Sequence, residues 1–93
     1  MAHTAMALIM MDKHREAYDW AERAYQEDGD NTLAIHTLAA SAALVGNQAR
    51  ANMAFQRGAH VYPRIRERHR RRFKRAEDFE KYCAAMRLAG APE

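Results

Sequence analysis

Hydrophobic positions in this chain recur every three or four residues, and no stretch alternates apolar and polar residues with a period of two. The pattern predicts six helices, which cover residues 2–11, 14–28, 32–45, 48–61, 64–73 and 76–89. Short polar or glycine-containing turns separate the first four helices, and Pro63 prevents the fourth from continuing. We therefore expect an all-α fold.

A longer period of 34 residues relates the first two helix pairs. Small residues occupy equivalent positions in both pairs, as in Ala5 and Ala39, Ala17 and Ala51, and Ala24 and Gly58. A fixed period of this length is typical of stacked helical repeats, in which each unit buries its faces against its neighbours. We expect one domain, residues 1–93, with a truncated first repeat (1–31), a second repeat (32–65) and degenerate capping helices (66–93).

The second repeat carries the residues of a longer motif. Leu38, Ala51, Phe55 and Pro63 match the tetratricopeptide pattern in type and spacing, and Ile35, Ala39 and Ala42 match it in spacing. Residues 32–65 thus resemble a tetratricopeptide repeat. The resemblance implies an α-solenoid, a right-handed superhelix of antiparallel helix hairpins that ends in a capping pair and binds other proteins. In this arrangement we expect Phe55 to fill space that Gly58 vacates one turn later.

The C-terminal residues carry a second likeness. The stretches 73–78 and 86–93 are similar to the C-terminal ends of some bacterial adenylate-cyclase and transcriptional-regulator proteins, where tetratricopeptide arrays follow a cyclase or DNA-binding domain. The likeness implies that this chain is the regulatory or scaffolding end of a larger bacterial protein. No metal-binding or nucleotide-binding residue of a cyclase can be placed on it.

The first helix of each pair would line the inner face of such an array. On the third predicted helix, one stripe at three- and four-residue spacings predicts a shallow, mostly apolar groove for a peptide or helix. Its residues are Leu33, His36, Thr37, Ala40, Ala43 and Leu44. The alternative is that this stripe packs against another part of the parent protein.

Charge is concentrated in one segment. Eight of the 15 basic residues and one of the 12 acidic residues lie between Arg64 and Arg75, so this segment carries +7 and the remainder −4. The basic residues are Arg64, Arg66, Arg68, Arg70, Arg71, Arg72, Lys74 and Arg75. We interpret the segment first as a solvated capping helix. Nucleic-acid binding is the main alternative, and attraction to an acidic partner or to a second copy is a third.

Catalytic chemistry is hard to place on this sequence. The five histidines lack metal-ligand spacing and are interpreted as surface or interface residues, and the lone Cys83 as a small core residue. No nucleophile–base set or glycine-rich phosphate loop occurs in the sequence. We therefore expect a protein that is not an enzyme and needs no metal or cofactor.

The first predicted helix is apolar or small at nearly every position, which favours burial or association with a neighbour. Self-association through residues 2–11 is therefore possible. The apolar run 5–11 is too short to span a bilayer and lacks a basic leader, so we expect no membrane partner and a cytoplasmic location.

Overall fold

The computed structural model describes residues 2–92, so Met1 of the predicted first repeat and Glu93 of the tail motif lie outside the described residues. Six α-helices follow one another: α1 (Ala2–Met10), α2 (His14–Glu27), α3 (Thr32–Leu44), α4 (Gln48–Gly58), α5 (Tyr62–Arg72) and α6 (Ala76–Ala89). A 3₁₀ turn, Ala59–Val61, joins α4 to α5. Residues 2–92 contain no strand, and the prediction of an all-α fold is confirmed.

Local signals explain where the helices begin and end. Asn31 and Asn47 cap α3 and α4, because their side-chain oxygens accept hydrogen bonds from the backbone N–H of Ala34 (3.1 Å) and Arg50 (3.2 Å). Gly46 takes a positive φ of 87° where α3 ends, a conformation that glycine adopts without a steric penalty. Pro63 lies in the first turn of α5, where its missing N–H costs nothing.

Helix α3 is the central element of the fold. It packs against α2, α4, α6 and α1, and every residue from 34 to 42 is buried. Helix α5 lies at the edge, where it packs on the 3₁₀ turn and on α6. Because the chain reverses after α5, α6 returns across α3 and reaches α1.

Small residues allow these helices to approach closely. Ala5, Ala17, Ala39 and Ala51 are completely buried in one apolar cluster, together with Phe55. In contrast, the expectation for Gly58 is wrong. A Cβ at Gly58 would lie 2.7 Å from His36 Nε2 and 3.0 Å from a methyl group of Ile35, so this glycine makes room for α3 and not for the ring of Phe55.

Candidate functional site: a filled groove and an arginine-rich helix

The predicted groove on α3 is not an open surface. His36, Thr37 and Ala40 are completely buried, and Leu33, Ala43 and Leu44 are only partly exposed. The placement of the groove on the free surface is therefore wrong. The physical reason is that the C-terminal helices of the same chain cover the stripe, an arrangement that the helical periodicity of α3 alone does not reveal.

Helices α5 and α6 cover this stripe from one end to the other. At one end, the ring of Tyr62 meets the ring of His36 edge-on, with 5.6 Å between their centroids. At the other end, Leu44 lines a depression together with Ala84 and Leu88 of α6. An amphipathic helix in an apolar groove is a common mode of peptide recognition, and here the occupant belongs to the same chain.

The buried face of α6 carries the anchors of this contact. Tyr82, Ala85 and Met86 are completely buried, and Ala89 nearly so. Polar contacts hold the helix at both ends. The ammonium group of Lys81 donates to the Met10 carbonyl (3.1 Å) and to both carboxylate oxygens of Asp12 (3.2 Å), and Gln48 donates to the Leu88 carbonyl (2.7 Å).

A cluster of buried polar atoms lies where α3, α5 and α6 meet. His36 Nε2 is 3.0 Å from the Gly58 carbonyl, whereas His36 Nδ1, Thr37 Oγ1, His69 Nε2 and Tyr82 Oη have no hydrogen-bond partner among residues 2–92. Aromatic contacts join the cluster, since His69 lies 4.8 Å from Tyr82 between ring centroids. Unpaired buried polar atoms are uncommon in folded proteins, and they make this junction less stable than an apolar one.

Burial changes the protonation of these groups. Desolvation lowers the pKa of His36 and of His69 below the usual range, and nearby positive charges lower the pKa of His69 further. Desolvation likewise raises the pKa of Tyr62 to about 12 and raises that of Tyr82 strongly. The cluster is therefore uncharged at neutral pH.

An apolar rim remains at the open end of the filled groove. Leu88 is 56% exposed and Met11 59% exposed, the largest exposures of big apolar side chains among the described residues. Leu88 lines a depression of about 180 Å³ together with Ile9 and Leu44, among others. Helix α1 buries Ala5, Met6 and Ile9 within the chain. Self-association through residues 2–11 stays a prediction, with this rim as the apolar surface available for it.

The basic segment forms most of α5 and the loop that follows it. All eight of its basic residues are exposed except Arg66, which is half-buried. The helix is attached through a buried edge formed by Tyr62, Ile65 and His69. Within the segment itself the sequence has two large apolar side chains that could attach the helix, Ile65 and Phe73. His69 is hidden among charged residues, and Tyr62 falls in the predicted turn before Pro63, although the spacing of all four residues is helical.

The other predicted residues are distributed through the fold. Cys83 is buried, which confirms its interpretation as a core residue. His3 and His60 are exposed and His14 is half-buried. The interpretation as surface residues is wrong for His36 and His69, which are buried between helices.

Within residues 2–92 no group of three or more His, Cys, Asp or Glu side chains is placed to bind a metal ion. None of the described helices has the length and apolarity needed to cross a bilayer.

Comparison of the chain with protein-family models, with curated proteins and with solved structures gives no match. The resemblance to tetratricopeptide repeats consequently stays a prediction.

Proposed function

We propose that this chain is a protein–protein interaction module and not an enzyme, and that its binding site is the face of α3 that α6 now occupies. In this proposal, α1–α2 and α3–α4 are two tetratricopeptide-like hairpins of a right-handed superhelix, and α6 lies in their inner groove. The observation that carries the proposal is that α6, a helix of the same chain, packs along α3, whose residues 34–42 are all buried.

The 34-residue period supports the assignment of two equivalent hairpins. Ala5 and Ala39 are completely buried, and so are Ala17 and Ala51, so the equivalent positions play the same packing role in both units. Their side chains are small, which permits the close approach of helices that nested hairpins require. A repeat array of this kind uses an inner face for binding and end helices to cover its last unit.

The residues of α6 define what kind of partner would fit. A large side chain at the Tyr82 position, a flexible one at the Met86 position and small residues at the Ala85 and Ala89 positions together make one apolar stripe. We therefore propose that the partner is an amphipathic helix with the same pattern, from another protein or from another domain of the parent chain. The module would then act as the regulatory or scaffolding end of a larger bacterial protein.

A peptide titration tests this function with the full chain. The probe is a fluorescent synthetic peptide with the sequence of residues 76–92, and the matched control peptide carries Tyr82→Asp and Met86→Asp. The Lys81→Ala substitution in the protein removes one attachment of α6 without changing α3. We expect this variant to bind the probe several-fold more tightly than the unaltered chain, because a weaker internal helix competes less well.

Two results would count against the proposal. Equal binding of the probe and the control peptide would show that binding does not depend on the apolar stripe of the peptide. Absence of binding to a Lys81→Ala protein that retains its helical circular dichroism, at several hundred micromolar probe, would show that the α3 face accepts no helix in trans.

A further inference from the structure

The arginine-rich face of α5 lies outside the groove and is a second candidate binding surface. We infer that α5 docks on the phosphate backbone of duplex nucleic acid. Four features of the structure support this inference: the arginines without a partner, their spacing, the absence of exposed apolar anchors beside them, and the distribution of charge over the molecule.

Five of the eight basic residues in the segment form no ion pair, side-chain hydrogen bond or cation–π contact with the residues that the structure describes, and four of the five are arginines of α5. Arg70 and Arg75 pair with Glu67 (3.7 Å) and Glu77 (2.8 Å), and Arg66 lies over the ring of Tyr62. The other arginines of α5 form no ion pair or hydrogen bond with any residue that the structure describes. They are Arg64, Arg68, Arg71 and Arg72, hereafter the four free arginines.

The four free arginines lie together on one side of the helix. With Glu67 they line an open depression of about 420 Å³. Arg64, Arg68 and Arg71 follow at intervals of four and three residues, so they form one row along the helix. This row is ~10 Å long at 1.5 Å per residue. Four successive phosphates of one DNA strand, which are three steps of ~3.4 Å apart, span about the same axial distance.

The exposed face of α5 is unsuited to a protein or membrane partner. Its exposed residues are Pro63, Glu67, Arg70 and the four free arginines, so it offers no aromatic or aliphatic anchor. Protein interfaces depend on such anchors at their centres, and membrane-surface helices need an apolar face to insert. Arginine binds phosphate through a planar, bidentate set of donors that needs no apolar neighbour.

The negative charge of another region of the molecule would help to orient α5 toward a polyanion. Residues 12–30 contain seven acidic and three basic side chains, a net charge of −4. That region comprises α2 and its flanking turns, which pack on α1 and α3, whereas α5 packs on α6 and the 3₁₀ turn. A polyanion repels the acidic region and attracts α5, and an uneven charge distribution of this kind orients a protein as it approaches a charged surface.

The test measures binding of the full chain to a fluorescein-labelled, mixed-sequence 20-base-pair DNA duplex by anisotropy, between 25 and 200 mM NaCl. Four phosphate contacts predict a slope of about −3.6 for log K against log salt, and hence a roughly 10³-fold loss of affinity over this range. The Arg68→Gln/Arg71→Gln variant should reduce the slope to about −1.8. The matched control, Arg15→Gln/Arg23→Gln, removes two exposed arginines near α2 and should bind as the unaltered chain does.

Three results would overturn the inference. The first is no binding to the duplex at 25 mM NaCl. The second is an equal loss of affinity in the two double variants, which would show that only net charge matters. The third is binding to poly-glutamate or to phosphatidylserine vesicles without binding to the duplex, which would assign the face to an acidic protein or to a membrane. Thermal unfolding of each variant verifies that it is folded, as expected for substitutions of exposed side chains.

Discussion

Two buried histidines should make the stability of this fold depend on pH. His36 is completely buried and His69 is 7% exposed, and neither imidazole pairs with a carboxylate among residues 2–92. Arg68 and Arg72 also lie near His69 and disfavour its protonated form. Adding a proton to either ring therefore places an uncompensated positive charge at the junction of α3, α5 and α6.

The sign and the size of the effect follow from the lowered pKa values. The unfolded chain binds protons at its histidines near pH 6.5, whereas the folded chain binds them only at lower pH, because burial lowers the pKa of His36 and His69. The free energy of unfolding is therefore highest above about pH 6.5 and falls as the pH decreases toward the folded-state pKa values. Each histidine contributes at most ~1.4 kcal/mol per pH unit, and the pair at most ~2.7.

Urea unfolding followed by far-ultraviolet circular dichroism at pH 7.5, 6.5, 5.5 and 5.0 measures this dependence. His69→Phe should remove about half of the slope. It should change stability at pH 7.5 by less than ~1.5 kcal/mol, because a ring is retained against Phe73 and Tyr82 while an unpaired nitrogen is removed. His3→Gln alters an exposed histidine of α1 and serves as the control. A stability that is constant between pH 7.5 and 5.0, or an unchanged slope in His69→Phe, would refute the reasoning.

Three further predictions concern single residues. Gly58→Ala should lower the free energy of unfolding by about 1–3 kcal/mol in urea titrations, because the new methyl group would meet the immobile ring of His36. Glu22→Gln should cost ~1 kcal/mol at pH 7 through loss of the two 2.8 Å bonds from Arg50. That difference should shrink as the pH falls below the ordinary carboxyl pKa and vanish only below the pKa of Glu22 in the folded chain, which Arg50 lowers. The Cys83 thiol should react with a thiol reagent at least tenfold more slowly in the folded chain than in urea, because it is buried and burial raises its pKa.

Local sequence signals predict the helices well but do not predict where the last helix lies. The period of three to four residues places all six helices, since each turn carries its own stop signal, such as Gly46 and Asn47. The 34-residue period identifies the buried alanines. Beyond Pro63 the apolar positions of the repeat are lost, so nothing in the sequence pattern indicates that α6 returns to α3. That placement is a tertiary contact, made by Tyr82 and Met86 with residues distant in the chain.

The candidate site was only half predictable for the same reason. Helical spacing predicts which residues form the stripe on α3, but the exposure of the stripe depends on where α6 lies. The spacing alone therefore predicts an open groove where the surface is buried. The basic face of α5 was predictable, because arginines at this density remain in solvent wherever the helix packs. His69 could have been found from its spacing with Ile65 and Phe73, had the surrounding charges not dominated the pattern.

The helix that fills the groove, α6, contacts the arginine-rich helix α5, so the functions of the two surfaces should be coupled. His69 on the buried edge of α5 contacts Tyr82, which is also an anchor of α6 in the groove. A partner helix that displaces α6 and has no aromatic ring at the position of Tyr82 would remove this contact and loosen α5. Such loosening would spread the four free arginines over more conformations and raise the entropic cost of binding a rigid backbone.

We therefore expect an unlabelled 76–92 peptide with Tyr82→Leu, which keeps the apolar stripe but lacks the ring, to weaken duplex binding by the Lys81→Ala chain several-fold. The control peptide with Tyr82→Asp and Met86→Asp should leave it unchanged. The reciprocal experiment is equally informative, because saturating duplex should weaken peptide binding by the same factor if the two sites are thermodynamically linked. The result that would contradict this prediction is that peptide and duplex both bind but neither changes the affinity of the other. It would show that α5 keeps its position without α6 and that the two surfaces function independently.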